Sequence, residues 1–127
     1  MKRVVLSIPA LLTVAAAVAV LGPATPAFAA WEDCLPGQFC LFDTATGEGI
    51  FVDPDEPFAN PDLSRSGFDD RASAVVNRTG TSNCLYLDAD YGGGQSLYIP
   101  ANLIITLSDE WDDSVSSYRY PGANTSC

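Results

Sequence analysis

Two short stretches of this 127-residue chain carry side chains whose types and spacing could do chemistry. They are Asp112-Asp113-Ser114-Val115-Ser116-Ser117 and a weaker counterpart, Asp69-Asp70-Arg71-Ala72-Ser73-Ala74. In each, two adjacent carboxylates are followed three residues later by a serine hydroxyl. Such donors are hard oxygens, which suit calcium and little else among common protein-bound ions. The stretches stand 43 positions apart, and Cys40-Leu41-Phe42 and Cys84-Leu85-Tyr86 repeat at nearly the same offset, as do Gly49 and Gly93. A period of that size marks one supersecondary unit used twice. Calcium takes about 6–8 oxygens, so a six-residue stretch cannot fill the sphere alone. Asp43 and Asp88, on neighbouring hairpins, are the candidates to complete it. Taken singly, either stretch would read as turn and cap chemistry; the repetition tips the balance toward a metal.

The residue inventory excludes several other chemistries. There is no histidine, and the only lysine is Lys2. Histidine general-base catalysis, histidine-activated nucleophiles, histidine-ligated zinc and lysine Schiff bases are thereby removed. A carboxylate-pair hydrolase would need two opposed acids, which directly adjacent aspartates do not provide; the chain therefore reads as a non-enzyme. All 16 acids follow position 30, where the remaining basic residues are Arg65, Arg71, Arg78 and Arg119. Acids outnumber bases four to one there, a field that repels nucleic-acid phosphates and anionic lipid and attracts cations and basic surfaces.

Lys2 and Arg3, the apolar run from Val4 to Leu21 and the Ala27-Phe28-Ala29 triplet form a secretory leader. Residues 1–29 are expected to be a signal peptide, cut after Ala29 or Ala30, leaving a single exported, extracellular domain over residues 30–127 that is free of the membrane and monomeric. Four cysteines in such a chain read as two disulfides with three possible pairings. The Pro36-Gly37 turn makes a local Cys34–Cys40 loop the simplest closure, which leaves Cys84 with Cys127.

The elements that must position these residues read as strands. Phe39–Phe42, Ile50–Val52, Ala74–Val76, Leu85–Leu87, Leu97–Ile99, Ile104–Leu107 and Val115–Tyr118 are short β-branched or aromatic runs punctuated by Gly, Pro, Asp and Asn. That pattern predicts an all-β sandwich. Pro54, Pro57 and Pro61 make residues 53–64 a loop with at most one helical turn.

The Asp/Asn-Asp/Asn-x-x-Ser/Thr-Ser signature, matched in full by Asp112 to Ser117, resembles the calcium motif of microbial βγ-crystallins. Tyr86 to Gly93 likewise resembles that family's hairpin. The resemblance covers Cys34 to Tyr120 and implies two Greek-key motifs packed as a βγ-crystallin-like sandwich. It implies up to two calcium ions, each held between a motif of one half and the hairpin of the other. The residues it assigns to metal are Asp69, Asp70, Arg71 and Ser73, and Asp112, Asp113, Ser114 and Ser116. Two departures weaken the first site: Ala74 replaces the last serine, and Gly47 stands where the first hairpin should carry its second aromatic. Cys34-Leu35-Pro36-Gly37-Gln38-Phe39-Cys40 also resembles the opening of the bacterial metalloproteinase-inhibitor family, built on the same fold. The main functional expectation is an exported, non-enzymatic calcium-binding domain. The alternative is a secreted peptidase inhibitor whose partner is an extracellular protease, with Cys34–Cys40 or Tyr91–Gln95 as its contacting loop.

Overall fold

The computed structural model describes residues 30–56, 58–122 and 126–127; the leader assigned to residues 1–29 lies outside them. Among the described residues, eight strands form two four-stranded sheets. The first half of the chain contributes β1 (Phe39–Phe42), β2 (Ile50–Phe51), β3 (Ala59–Asn60) and β4 (Ala74–Asn77). The second contributes β5 (Asn83–Tyr86), β6 (Ser96–Ile99), β7 (Leu103–Thr106) and β8 (Ser117–Arg119).

One sheet runs β2-β1-β4-β7 and the other β3-β8-β5-β6, and every pairing is antiparallel. In each half the fourth strand returns beside the first, the Greek-key signature. The third strand crosses to the opposite sheet, so β3 pairs with β8 and β7 with β4. The expected all-β sandwich of two Greek keys is thus the observed fold.

Alternation along the strands divides the apolar residues between two faces. Phe39, Leu41, Val75, Leu85, Ile99 and Tyr118 point between the sheets, where Leu63, Phe68, Leu107, Trp111 and Val115 from the loops join them. Phe68 and Trp111 sit 43 positions apart, one at the foot of each paired-acid loop, and anchor those loops in the core. A second cluster lies on the outer face of the first sheet: Cys40, Phe42, Ala74 and Val76, covered by Cys34 and Trp31.

The Trp31 ring meets Phe42 edge-on at 5.0 Å. It also lies against Gly47, where an added Cβ would come within 2.9 Å of the Ala30 nitrogen and 3.1 Å of the ring. Gly47 has φ +86. The missing hairpin aromatic therefore has a cause, since a tryptophan from the amino-terminal segment occupies that space.

Both expected disulfides are formed, Cys34–Cys40 and Cys84–Cys127. The segment read as a loop over residues 53–64 is not wholly irregular. It holds β3, a two-residue edge strand, and the start of a short 3-10 helix at Leu63–Ser66 capped by the Asp62 carboxylate. The signal for β3 was absent because Ala59 and Asn60 have no strand preference of their own. Their pairing to Tyr118 and Arg119 is imposed from outside. At the chain's end, Val115 and Ser116 precede the last strand rather than forming it.

Candidate functional site

The two paired-acid loops lie against each other, related by an approximate twofold. Phe68 and Trp111 are buried at the start of each loop, and Ala72-Ser73 and Val115-Ser116 are buried at its end. The residues between are thus forced outward as a short arch. At the centre of each arch one aspartate takes a left-handed backbone, with φ 52 at both Asp70 and Asp113; aspartate tolerates this region better than most side chains.

This conformation turns the Asp70 N–H to the Val115 carbonyl at 3.2 Å and the Asp113 N–H to the Ala72 carbonyl at 2.9 Å. The side chains cross as well. The Ser73 hydroxyl donates to Asp113 Oδ1 at 3.4 Å, and the Ser116 hydroxyl donates to Asp70 Oδ1 at 3.4 Å. Each point of oxygen donors therefore combines a serine of one half with the second aspartate of the other.

The hairpins approach from their own halves. The Ser73 N–H donates to the Phe42 carbonyl at 2.8 Å, and the Ser116 N–H to the Tyr86 carbonyl at 3.0 Å. The first hairpin thus meets Ser73 of its own half beside Asp113 of the other, and the second hairpin meets Ser116 beside Asp70. What crosses between halves is the second aspartate, and the hairpin is local.

The two points are chemically unequal. At the first, the Arg71 side chain folds back onto the hairpin of its own half. Its Nε and Nη2 each lie 3.1 Å from an oxygen of Asp43, and Nη1 donates to the Gly67 carbonyl at 2.9 Å. The guanidinium also stacks 5.0 Å from the Phe68 ring centre. Its hydrogen bonds hold the Asp43 carboxyl below the usual carboxylate range. Asp43, expected to complete a calcium sphere, is thus engaged by a protein cation. At the second point, Ser114 replaces Arg71 and its hydroxyl donates to the Asp112 carbonyl at 3.0 Å.

Ser117, the serine that Ala74 replaces in the first motif, accepts from the Tyr91 N–H at 3.1 Å and donates to the Asp88 carbonyl at 2.6 Å. It ties the second hairpin to β8, and buried Ala74 makes no such tie. The first acids of the pairs differ too: Asp112 is exposed, whereas Asp69 is half-buried with an Oδ1 that has no hydrogen-bond partner. Among the described residues, no three acids or cysteines gather closely enough to enclose an ion.

Four further acids, Asp53, Asp55, Glu56 and Asp62, line a shallow depression of about 360 Å³. Asp53 is committed to turn chemistry there, accepting from the N–H groups of Asp55 and Glu56 and from the Asn60 amide. Arg119, which no sequence motif singles out, packs over Tyr91 and Tyr86 at 4.5 and 5.5 Å.

A third feature is the Cys34–Cys40 loop. The Gln38 N–H donates to the Leu35 carbonyl at 3.1 Å, with Pro36 and Gly37 (φ +84) between them. This is a type II turn, which places Pro at its second residue and Gly at its third.

Comparison with known proteins resolves the family. The model of peptidase inhibitor family I36 matches residues 27–99. The chain belongs to peptidase inhibitor family I36. The matched span of this I36 protein takes in the cysteine loop, the whole first half and the β5–β6 hairpin. No curated protein matches it.

Among solved structures, a βγ-crystallin from Ciona intestinalis aligns with a TM-score of 0.55 at 20% identity, covering 66% of this chain and 99% of that one. A βγ-crystallin domain from Flavobacterium johnsoniae aligns at 0.54 and 22% identity, covering 69% and 98%. One from an archaeon aligns at 0.53 and 17%, covering 68% and 99%. These likenesses establish a βγ-crystallin fold for this family I36 chain. Its two disulfides agree with an oxidising, extracellular setting. Among the described residues no helix is long and apolar enough to cross a membrane.

Proposed function

We propose that this chain is an exported, monomeric, non-enzymatic inhibitor of an extracellular peptidase, built on a βγ-crystallin sandwich. The observation that carries the reading is the family I36 match over residues 27–99. The inventory agrees with a binding rather than a catalytic role, because the chain has no histidine and no lysine beyond position 2. The test is a titration of a secreted zinc endopeptidase with the purified protein. Peptidase activity should fall with added protein and approach zero near equimolar ratio; full activity at tenfold molar excess refutes the reading.

A second reading is favoured by one specific observation, the reciprocal Ser73–Asp113 and Ser116–Asp70 pairs. Each gathers a carboxylate, a hydroxyl and nearby backbone carbonyls, a hard donor set that fits loosely held calcium. Up to two ions would be accommodated. Ser73 and Asp113 with the Arg71 carbonyl would hold one, and Ser116 and Asp70 with the Ser114 carbonyl the other. Asp69 and Asp112 would support the loops. The neighbouring Arg71 guanidinium opposes a cation at the first point, so the second binds more tightly. Calcium at a hundredfold over its dissociation constant would add about 2.7 kcal/mol of stability. The melting temperature should rise with millimolar calcium and fall back with chelator, and Ser116→Ala should diminish the rise. No shift and no titration heat at millimolar calcium would dismiss this reading.

A further inference from the structure

We infer that the Leu35-Pro36-Gly37 turn is the element that enters the peptidase, as an apolar plug that fills a specificity pocket without presenting a bond that can be cut. This inference rests on the inhibitor reading above and assigns it a residue and a mode of contact. Leu35 is 57% exposed, the most exposed of the large hydrophobic residues described. It contributes little to either core, yet the backbone beneath it is fixed from several directions.

The disulfide closes the loop over six residues. The Leu35 N–H donates to Gln38 Oε1 at 2.9 Å, and its carbonyl accepts from the Gln38 N–H. The Gly37 N–H donates to the Arg78 carbonyl at 2.9 Å, and the Arg78 N–H returns a bond to the Gln38 carbonyl at 2.9 Å. Those last two bonds weld the turn to the end of β4. A side chain held ready on a rigid loop loses little conformational freedom on binding, the condition under which a small contact becomes a tight one.

The other glycine-rich hairpin tip offers less. Gly93 and Gly94 at its apex have no side chain to insert, and no disulfide closes it.

The same geometry explains why a peptidase would hold the turn rather than consume it. The Leu35–Pro36 bond lacks an N–H, and the proline ring fixes its φ. The Leu35 carbonyl, whose oxygen a peptidase must polarise, is already engaged across the turn. The bond before Leu35 is no better placed, because Cys34 is 1% exposed. Glu32 and Asp33 are exposed immediately upstream. The partner that fits is therefore an endopeptidase with an open apolar pocket beside a basic rim.

The experiment compares wild-type protein with Leu35→Ala and Leu35→Asp against thermolysin as the zinc-endopeptidase probe and subtilisin as the serine-endopeptidase probe. Circular dichroism and mass analysis first confirm that each variant is folded with both disulfides formed. On whichever probe the wild type inhibits, Leu35→Ala should weaken inhibition by about tenfold to a hundredfold, the range expected for removing one buried leucine from a contact. Leu35→Asp should weaken it further, and wild-type protein recovered after long incubation should be uncut between Cys34 and Gly37. Leu35→Asp inhibiting within twofold of wild type overturns the inference while leaving the inhibitor reading intact, as does cleavage within the turn that accompanies inhibition. If the wild type leaves both probes fully active, the inhibitor reading fails and this inference falls with it.

Discussion

The two disulfides close loops of very different length, and their removal should cost correspondingly different amounts of stability. Cys34 and Cys40 are six residues apart, whereas Cys84 and Cys127 are 43 apart. In the chain-entropy model the loss grows with the logarithm of loop length, giving about 2.3 kcal/mol for the short bridge and about 4 kcal/mol for the long one. For a domain of this size each kcal/mol moves the melting temperature by about 4–8 °C. The Cys84→Ala/Cys127→Ala double variant should therefore melt about 15–30 °C below wild type, and Cys34→Ala/Cys40→Ala about 10–20 °C below. Urea unfolding at pH 7, with each protein fitted to its own slope because removing a cross-link expands the unfolded chain, gives the two free energies directly. The reasoning is refuted if the short bridge proves worth as much as the long one or more. That result would mean the packing of Trp31 and Cys34 over the outer face of the first sheet, rather than loop closure, sets the cost.

Two further predictions concern pH. The Asp43 carboxyl is held low by Arg71, so the pair stabilises the fold fully above the usual carboxylate range and the contribution disappears as pH falls through the lowered value. Arg71→Gln should thus melt lower than wild type at pH 7, with the gap closing in acid; a gap independent of pH would contradict this. Tyr118 is buried between the sheets, and burial drives its phenol pKa upward. Its neutral form is the folded one, so that contribution is intact below about pH 10 and declines as pH rises above the unfolded value. Tyrosine absorbance near 295 nm should show one phenol ionising only together with unfolding, and a full set of tyrosines titrating in the folded protein would exclude it.

Much of this architecture was legible because it rests on local signals. Short β-branched and aromatic runs identify seven of the eight described strands, the last of them beginning two residues early, and the 43-residue repeat locates the facing loops. The Pro36-Gly37 turn points to the short disulfide. What sequence could not supply was set by tertiary contact. β3 is a strand because β8 offers it an edge. Gly47 is a glycine because Trp31, sixteen positions upstream, needs the space. The pairing of Arg71 with Asp43 spans 28 residues, beyond the reach of any local pattern. The crossing of Asp70 and Asp113 to the opposite loop is likewise a property of the twofold arrangement, which no single motif encodes.

The exchange of third strands has a consequence for how the molecule comes apart. Neither half carries a complete sheet, since β4 borrows β7 and β8 borrows β3. A fragment ending near Gly80 would expose a bare edge on β4 that only a partner fragment can cover. Nicking the backbone between the halves should therefore leave two pieces that stay associated and melt as one body. A lone half, expressed by itself, would be driven to find a second copy of itself to fill the vacancy.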